Sequence, residues 1–130
     1  MKEDLINFLK FNLSKRQLQD KIGEDLYNID IDNPVEISVN DLIEAITKYL
    51  DSEITKEDLV NWVNVVWFTD LFEYKNEEAG TIASVMDVLE TLDEKGVLVS
   101  FDEFHEMINS LKHNKIYEKE NYSGKTRILK

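Results

Sequence analysis

The residues able to do chemistry in this 130-residue chain are 27 acids, a handful of serines, two histidines and two tryptophans; there is no cysteine. Two stretches carry acids at the spacing of a calcium loop. In DIDNPVEISVND, Asp30 and Asp32 stand at the first and third positions and Asp41 at the twelfth. Pro34 falls where an oxygen ligand belongs, and Val35 where the sharp turn requires glycine. In LDEKGVLVSFDEF, Glu103 lies one residue too far beyond Gly96, so Asp102 would have to close the loop, and Lys95 takes a ligand position. Both stretches read better as helix–loop–helix segments whose acids cap helices. The GKT at Gly124–Thr126 lacks the glycine that a phosphate loop needs five residues earlier, where Lys119 stands. His105-Glu106 lacks the second histidine of a zinc-protease helix, since Asn109 occupies that position, and His105 with His113 supplies only two ligands. Ser14, Ser38 and Ser100 read as helix caps, and no serine sits in a glycine-rich elbow beside a base. Carboxylate pairs are too abundant for any one to stand out as an acid–base couple. The expectation is a protein that is not an enzyme and holds no cofactor or metal.

The charge says more. The net charge is −12, and it is unevenly placed: 25 acids oppose 9 bases through Leu111, whereas 6 bases oppose 2 acids after it. Such a body repels nucleic acid and anionic membrane and attracts basic proteins, fastest at low salt. The same acids also serve simply to solvate the surface. The longest apolar run, Val65–Phe68, falls far short of the roughly 20 residues a membrane span needs. The N-terminus MKEDLINFLKFNLSK has acids at once and no small-residue cleavage site, unlike a signal peptide. With no disulfide framework, the expectation is a cytoplasmic protein whose partner is a basic protein, with no nucleic acid and no membrane.

The elements that must position these residues are organised around Thr55–Tyr74, TKEDLVNWVNVVWFTDLFEY. Ten of the fourteen residues from Leu59 to Phe72 are apolar, which predicts one buried helix over about 56–73 with others packed around it. Trp62 and Trp67 are about 140° apart around such a helix. Either both belong to the core, or one reaches the edge, where Asp58, Asp70, Glu73 and Tyr74 would make it an aromatic anchor for a basic protein. The remaining pattern predicts a helix over residues 3–13 and a Ser14-capped helix with Leu18, Ile22, Leu26 and Ile29 inward. The alternative there is a single helix broken near Asn12. Next come a connection over 28–37 around Pro34 and a helix from Ser38 to Leu50 with Asp41 completing its capping box. A helix from Gly80 to Leu92 is closed by Gly96, and Val97–Val99 is an apolar connector long enough to cross the core. A last helix, capped by Ser100 with Glu103, buries Phe101, Phe104, Met107, Ile108 and Leu111. The fold class read from this is all-α, a single-domain bundle of five to six helices over residues 1–113. Residues 114–130 follow as a basic tail, extended arm or short hairpin.

Ser38–Leu50, a short break, then EITKEDLVNWV, later IASVMDVLETLD and finally SFDEFHEMINSLK, form an order that resembles the small all-helical immunity proteins of bacterial toxin systems. The likeness covers about residues 38–112. It implies a stoichiometric inhibitor that binds one cognate toxin and blocks it by occlusion. A nuclease toxin must be basic to hold its substrate, so an acidic inhibitor is steered to that surface. The candidate contact surface is the acidic shoulder of the central helix: Asp41, Glu44, Asp51, Glu53, Glu57, Asp58, Asp70 and Glu73, with Trp67 and Tyr74. The alternative is a helical adaptor or regulatory module, phage or bacterial, that binds a protein outside toxin biology without calcium.

Overall fold

Helix starts are the most local feature of the fold. A computed structural model describes residues 1–118, and in it four helices begin at side-chain caps. These are α2 (Lys15–Ile22), α3 (Val39–Leu50), α4 (Lys56–Phe68) and α6 (Phe101–Lys112). At each, the side chain three residues on reaches back to the cap residue's backbone N–H. Gln17 accepts from Ser14 at 2.8 Å, Asp41 from Ser38 at 2.9 Å, Asp58 from Thr55 at 2.9 Å and Glu103 from Ser100 at 3.0 Å. These bonds satisfy N–H groups that a helix start leaves without partners. Helices α1 (Lys2–Leu9) and α5 (Ala79–Leu89) complete the set.

Helix ends explain the other boundaries. After α1, the Phe11 N–H bonds the Phe8 carbonyl and the Asn12 N–H bonds that of Asn7, the paired closing bonds of a Schellman cap with Phe11 in the left-handed region at φ 63°. The break near Asn12 is therefore a true helix end, and α1 and α2 are separate. Helix α2 stops at Ile22 because Gly23 turns left-handed at φ 76°. Leu26 still reaches the core, but from the loop beyond rather than from a continued helix.

The fold is mostly helical, but it is not purely α. Val35–Ile37 forms a strand, β1, inside the expected connection, and Phe72–Tyr74 forms β2 inside the expected central helix. They pair in parallel, with Val35, Glu36 and Ile37 opposite Phe72, Glu73 and Tyr74. The parallel sense follows from the crossover through α3 and α4 that lies between them. Helix α4 ends at Phe68, not near residue 73, because Thr69 turns extended and its hydroxyl donates to the Val65 carbonyl. The apolar residues after it stay buried without a helix, Leu71 in the turn and Phe72 on β2.

Around α4 the core closes. Trp62 is 1 % exposed and its indole N–H donates to the Leu9 carbonyl at 3.1 Å. Leu59, Val63 and Val65 are fully buried with it, and helices α2, α3 and α5 pack against α4. Two expectations about the far side fail. Leu98 is 91 % exposed, so Val97–Val99 runs over the surface instead of crossing the core. Phe101 is also exposed, because the buried stripe of α6 starts one turn later at Phe104 and the first residue of the helix projects past the core's edge.

The segment EYKNEEAG holds the end of β2 and a 3₁₀ turn at Asn76–Glu78. Beyond α6, Asn114 accepts from the Thr81 hydroxyl at 2.8 Å and donates to the Glu77 carbonyl at 2.9 Å. The Tyr117 N–H donates to Ser84 at 2.9 Å, so residues 114–117 lie along the 3₁₀ turn and α5. The rest of the expected basic arm lies outside the described residues. Among the described residues no helix is long and apolar enough to cross a membrane.

Candidate partner-binding surface

The two tryptophans of α4 have separate environments. Trp62 faces the core, whereas Trp67, five residues on, comes out half-buried at the rim. Because the chain reverses at Thr69 and returns as β2, Tyr74 is carried back beside Trp67. The two rings stack with centroids 5.6 Å apart and 24° between planes. Phe68 meets Trp67 edge-on at 6.5 Å and 82°, and it is 53 % exposed. The Tyr74 hydroxyl lies 3.5 Å from the Val66 carbonyl, and burial pushes its phenol up to about 12. Three aromatic rings thus share one end of α4, anchored on the helix and the strand, with Phe68 outermost.

Acids border that end. Asp70 and Glu73 are exposed, and Glu73 stands in register with Glu36 of β1, which is exposed as well. Like charges directly opposite on neighbouring strands repel. Among the described residues the ion pairs are Lys48 with Glu53 at 3.6 Å and Lys75 with Glu77 at 4.0 Å, and neither takes up Glu36, Asp70 or Glu73. Crowding of acids recurs elsewhere: desolvation, then Asp87 and Glu94, holds the Glu90 carboxyl above its ordinary value.

The ten residues singled out from the sequence do not form one surface. Trp67, Asp70, Glu73 and Tyr74 meet at the C-terminal end of α4. Asp41 belongs to the same end, since Ile37 pairs with Tyr74 just before α3 begins, but its carboxylate is taken up by the Ser38 cap. Glu44 is exposed one turn further along α3. Asp51, Glu53, Glu57 and Asp58 lie at the opposite end of α4, whose 13 residues span about 20 Å. There Asp58 is held by the Thr55 cap and Glu53 pairs with Lys48.

Phe68 and Glu36 belong to the aromatic end and went unnoticed in the sequence. Phe68 sits in a run that reads as core throughout, and its exposure follows only from where the helix stops. Glu36 carries a faint signal, the apolar–polar–apolar alternation of Val35, Glu36 and Ile37, but three residues are too few to separate a strand from a loop. Among the described residues no three His, Cys, Asp or Glu side chains gather as a metal-ligand group. His105 is exposed, on the outer side of α6.

No protein-family model, curated protein or solved structure matches the chain.

Proposed function

We propose that the protein is a non-enzymatic, acidic binding protein that inhibits a basic bacterial toxin by covering its working surface, in the manner the immunity-protein resemblance implies. The observation that carries this reading is the aromatic end of α4. There an exposed Phe68 on a stacked Trp67–Tyr74 pair lies among Glu36, Asp70 and Glu73, acids that form no ion pair among the described residues. Aromatic anchors carry a large share of interface energy, and a rim of one charge sets partner choice and association rate. A basic protein supplies what this end lacks on both counts. Its cations relieve the facing Glu36 and Glu73, and its apolar side chains cover Phe68.

The test is co-expression with the product of the neighbouring gene, followed by binding at increasing salt. Protection of the host and an affinity that falls steeply with ionic strength are expected. A complex indifferent to salt contradicts the steering by charge.

A second reading, a helical adaptor, draws on Phe101. It is 68 % exposed and borders Tyr49, Leu50, Ile54 and Thr55 at the opposite end of α4 from Phe68. An adaptor binding there keeps its affinity in salt and loses it with Phe101→Ala rather than with Phe68→Ala.

A further inference from the structure

Strands β1 and β2 form a two-stranded sheet, so among the described residues each has one edge outside the ladder they share. In a parallel pair, alternate residues send both N–H and C=O to the neighbouring strand, and the residues between send theirs the other way. The Val35 N–H bonds the Leu71 carbonyl and the Lys75 N–H bonds the Ile37 carbonyl, so Leu71, Glu73 and Lys75 face β1. Phe72 and Tyr74 therefore turn their backbone groups to the outer edge of β2, where no backbone partner meets them among the described residues. We infer that this edge takes up an extended basic segment of the partner as a third strand, an inference that rests on the reading of that partner as a basic protein.

The backbone is the reason for a strand. Phe72 is 6 % exposed, and the N–H and C=O of a buried residue need partners. A strand laid along the edge bonds Phe72 and Tyr74 together, and such main-chain bonds are what hold an added strand. The outer edge of β1 is the poorer template, since it offers the groups of Glu36 alone and α1 packs against that strand.

Side chains decide which strand fits. On one face of the sheet Val35, Ile37 and Phe72 are buried and Tyr74 is half-buried, whereas Glu36 and Glu73 are exposed on the other. A strand beside β2 continues that alternation. Its residue next to Glu73 is a cation, and the residues flanking that cation are apolar, on the face where Tyr74 stacks on Trp67. A second copy of this chain fits badly. Antiparallel pairing of two β2 edges sets Glu73 against Glu73, between bodies of net charge −12.

The probe is a heptapeptide of alternating valine and arginine, valine at both ends and both termini blocked, titrated into the full chain while backbone amides are followed by NMR. The Phe72 and Tyr74 amides should shift and exchange with solvent at least about tenfold more slowly, with a dissociation constant of about 0.1–1 mM. The same peptide with glutamate in place of arginine should not bind measurably. N-methylation of the valines removes the donors that face β2 in an antiparallel addition, and N-methylation of the arginines those of a parallel one. One of these two equally charged peptides should therefore lose binding at least about tenfold. Glu73→Lys, on an exposed side chain, should weaken the arginine peptide at least about threefold. Equal binding by both N-methylated peptides overturns the inference, as does Glu73→Lys without effect. Slow exchange of both amides in the free chain also overturns it, with residues 119–130 as the occupant if the chain is monomeric and a second copy if it is dimeric. A peptide that shifts Trp67 and Phe68 but leaves the Phe72 and Tyr74 amides silent removes the strand and leaves the proposed function standing. Strand addition by the peptide, with no basic protein bound by the chain, keeps the edge and removes the function.

Discussion

Trp62 and Trp67 divide the work of α4 between core and rim, and substitutions should separate the two roles. Trp62→Phe leaves the buried Leu9 carbonyl without the indole donor, at a cost of roughly 1–3 kcal/mol, with a further penalty for the lost volume. Urea unfolding should show it as a lower midpoint with the slope unchanged. Phe68→Ala, on a side chain already half in water, should lower stability by less than about 1 kcal/mol yet weaken the partner complex by about 2 kcal/mol or more, some thirtyfold. Equal losses in both assays would make Phe68 a packing residue only.

Phe11, Ser52 and Asn114 all close helices in the left-handed region, at φ 63°, 62° and 50°. Ser52 is exposed and stacks on nothing, so Ser52→Gly should relieve strain and raise stability by about 0.5–1 kcal/mol. Phe11→Gly relieves similar strain but loses the stack on Trp62, so its net effect should be a loss. Tyr74 provides a pH signature. Its phenol is raised to about 12 by burial against an ordinary 10, so the folded state favours the neutral ring. The stability it contributes is complete below pH 10 and is lost as pH rises through 12. A phenolate absorbance titration should show a late-ionising step that the Tyr74→Phe variant lacks.

Secondary-structure elements differ in how far they can be seen in the sequence, because some are local and others are not. The starts of α2, α3, α4 and α6 are legible because each cap and its partner lie three residues apart, as in Thr55 with Asp58 and Ser100 with Glu103. Thr55→Ala should therefore lower stability by about 0.5–2 kcal/mol, readable as a shifted denaturation midpoint. The strands were not legible. The pairing of Val35–Ile37 with Phe72–Tyr74 joins two three-residue segments with two helices between them, and no local signal records that pairing. The apolar run through Phe72 looks like helix to its end, and only the turn at Thr69, with its hydroxyl on the Val65 carbonyl, cuts it short. Part of the candidate surface was hidden for the same reason. Trp67, Asp70, Glu73 and Tyr74 could be picked out as aromatic residues near acids, but Glu36 joins them only through the sheet, and Phe68 is exposed only because α4 ends there. The Val97–Val99 connector failed differently: apolar composition alone does not say whether a short segment crosses a core or runs across its outside.

At the scale of the whole molecule, charge and fold act together. A body carrying 25 acids against 9 bases through Leu111 repels itself, so salt should stabilise the free protein modestly while weakening its complex with a basic partner. That opposition of sign distinguishes steering by charge from a general effect of salt on folding. The most direct measurement of the central claim is the dissociation constant of the complex with the neighbouring gene's product, for the natural chain and for Phe68→Ala, from low to high salt. The prediction is tight binding at low salt, a fall of tenfold or more by about physiological ionic strength, and a weaker complex for Phe68→Ala at every salt concentration. Affinity that holds constant across the salt range, or that Phe68→Ala leaves untouched, would contradict an acidic inhibitor acting through the aromatic end of α4.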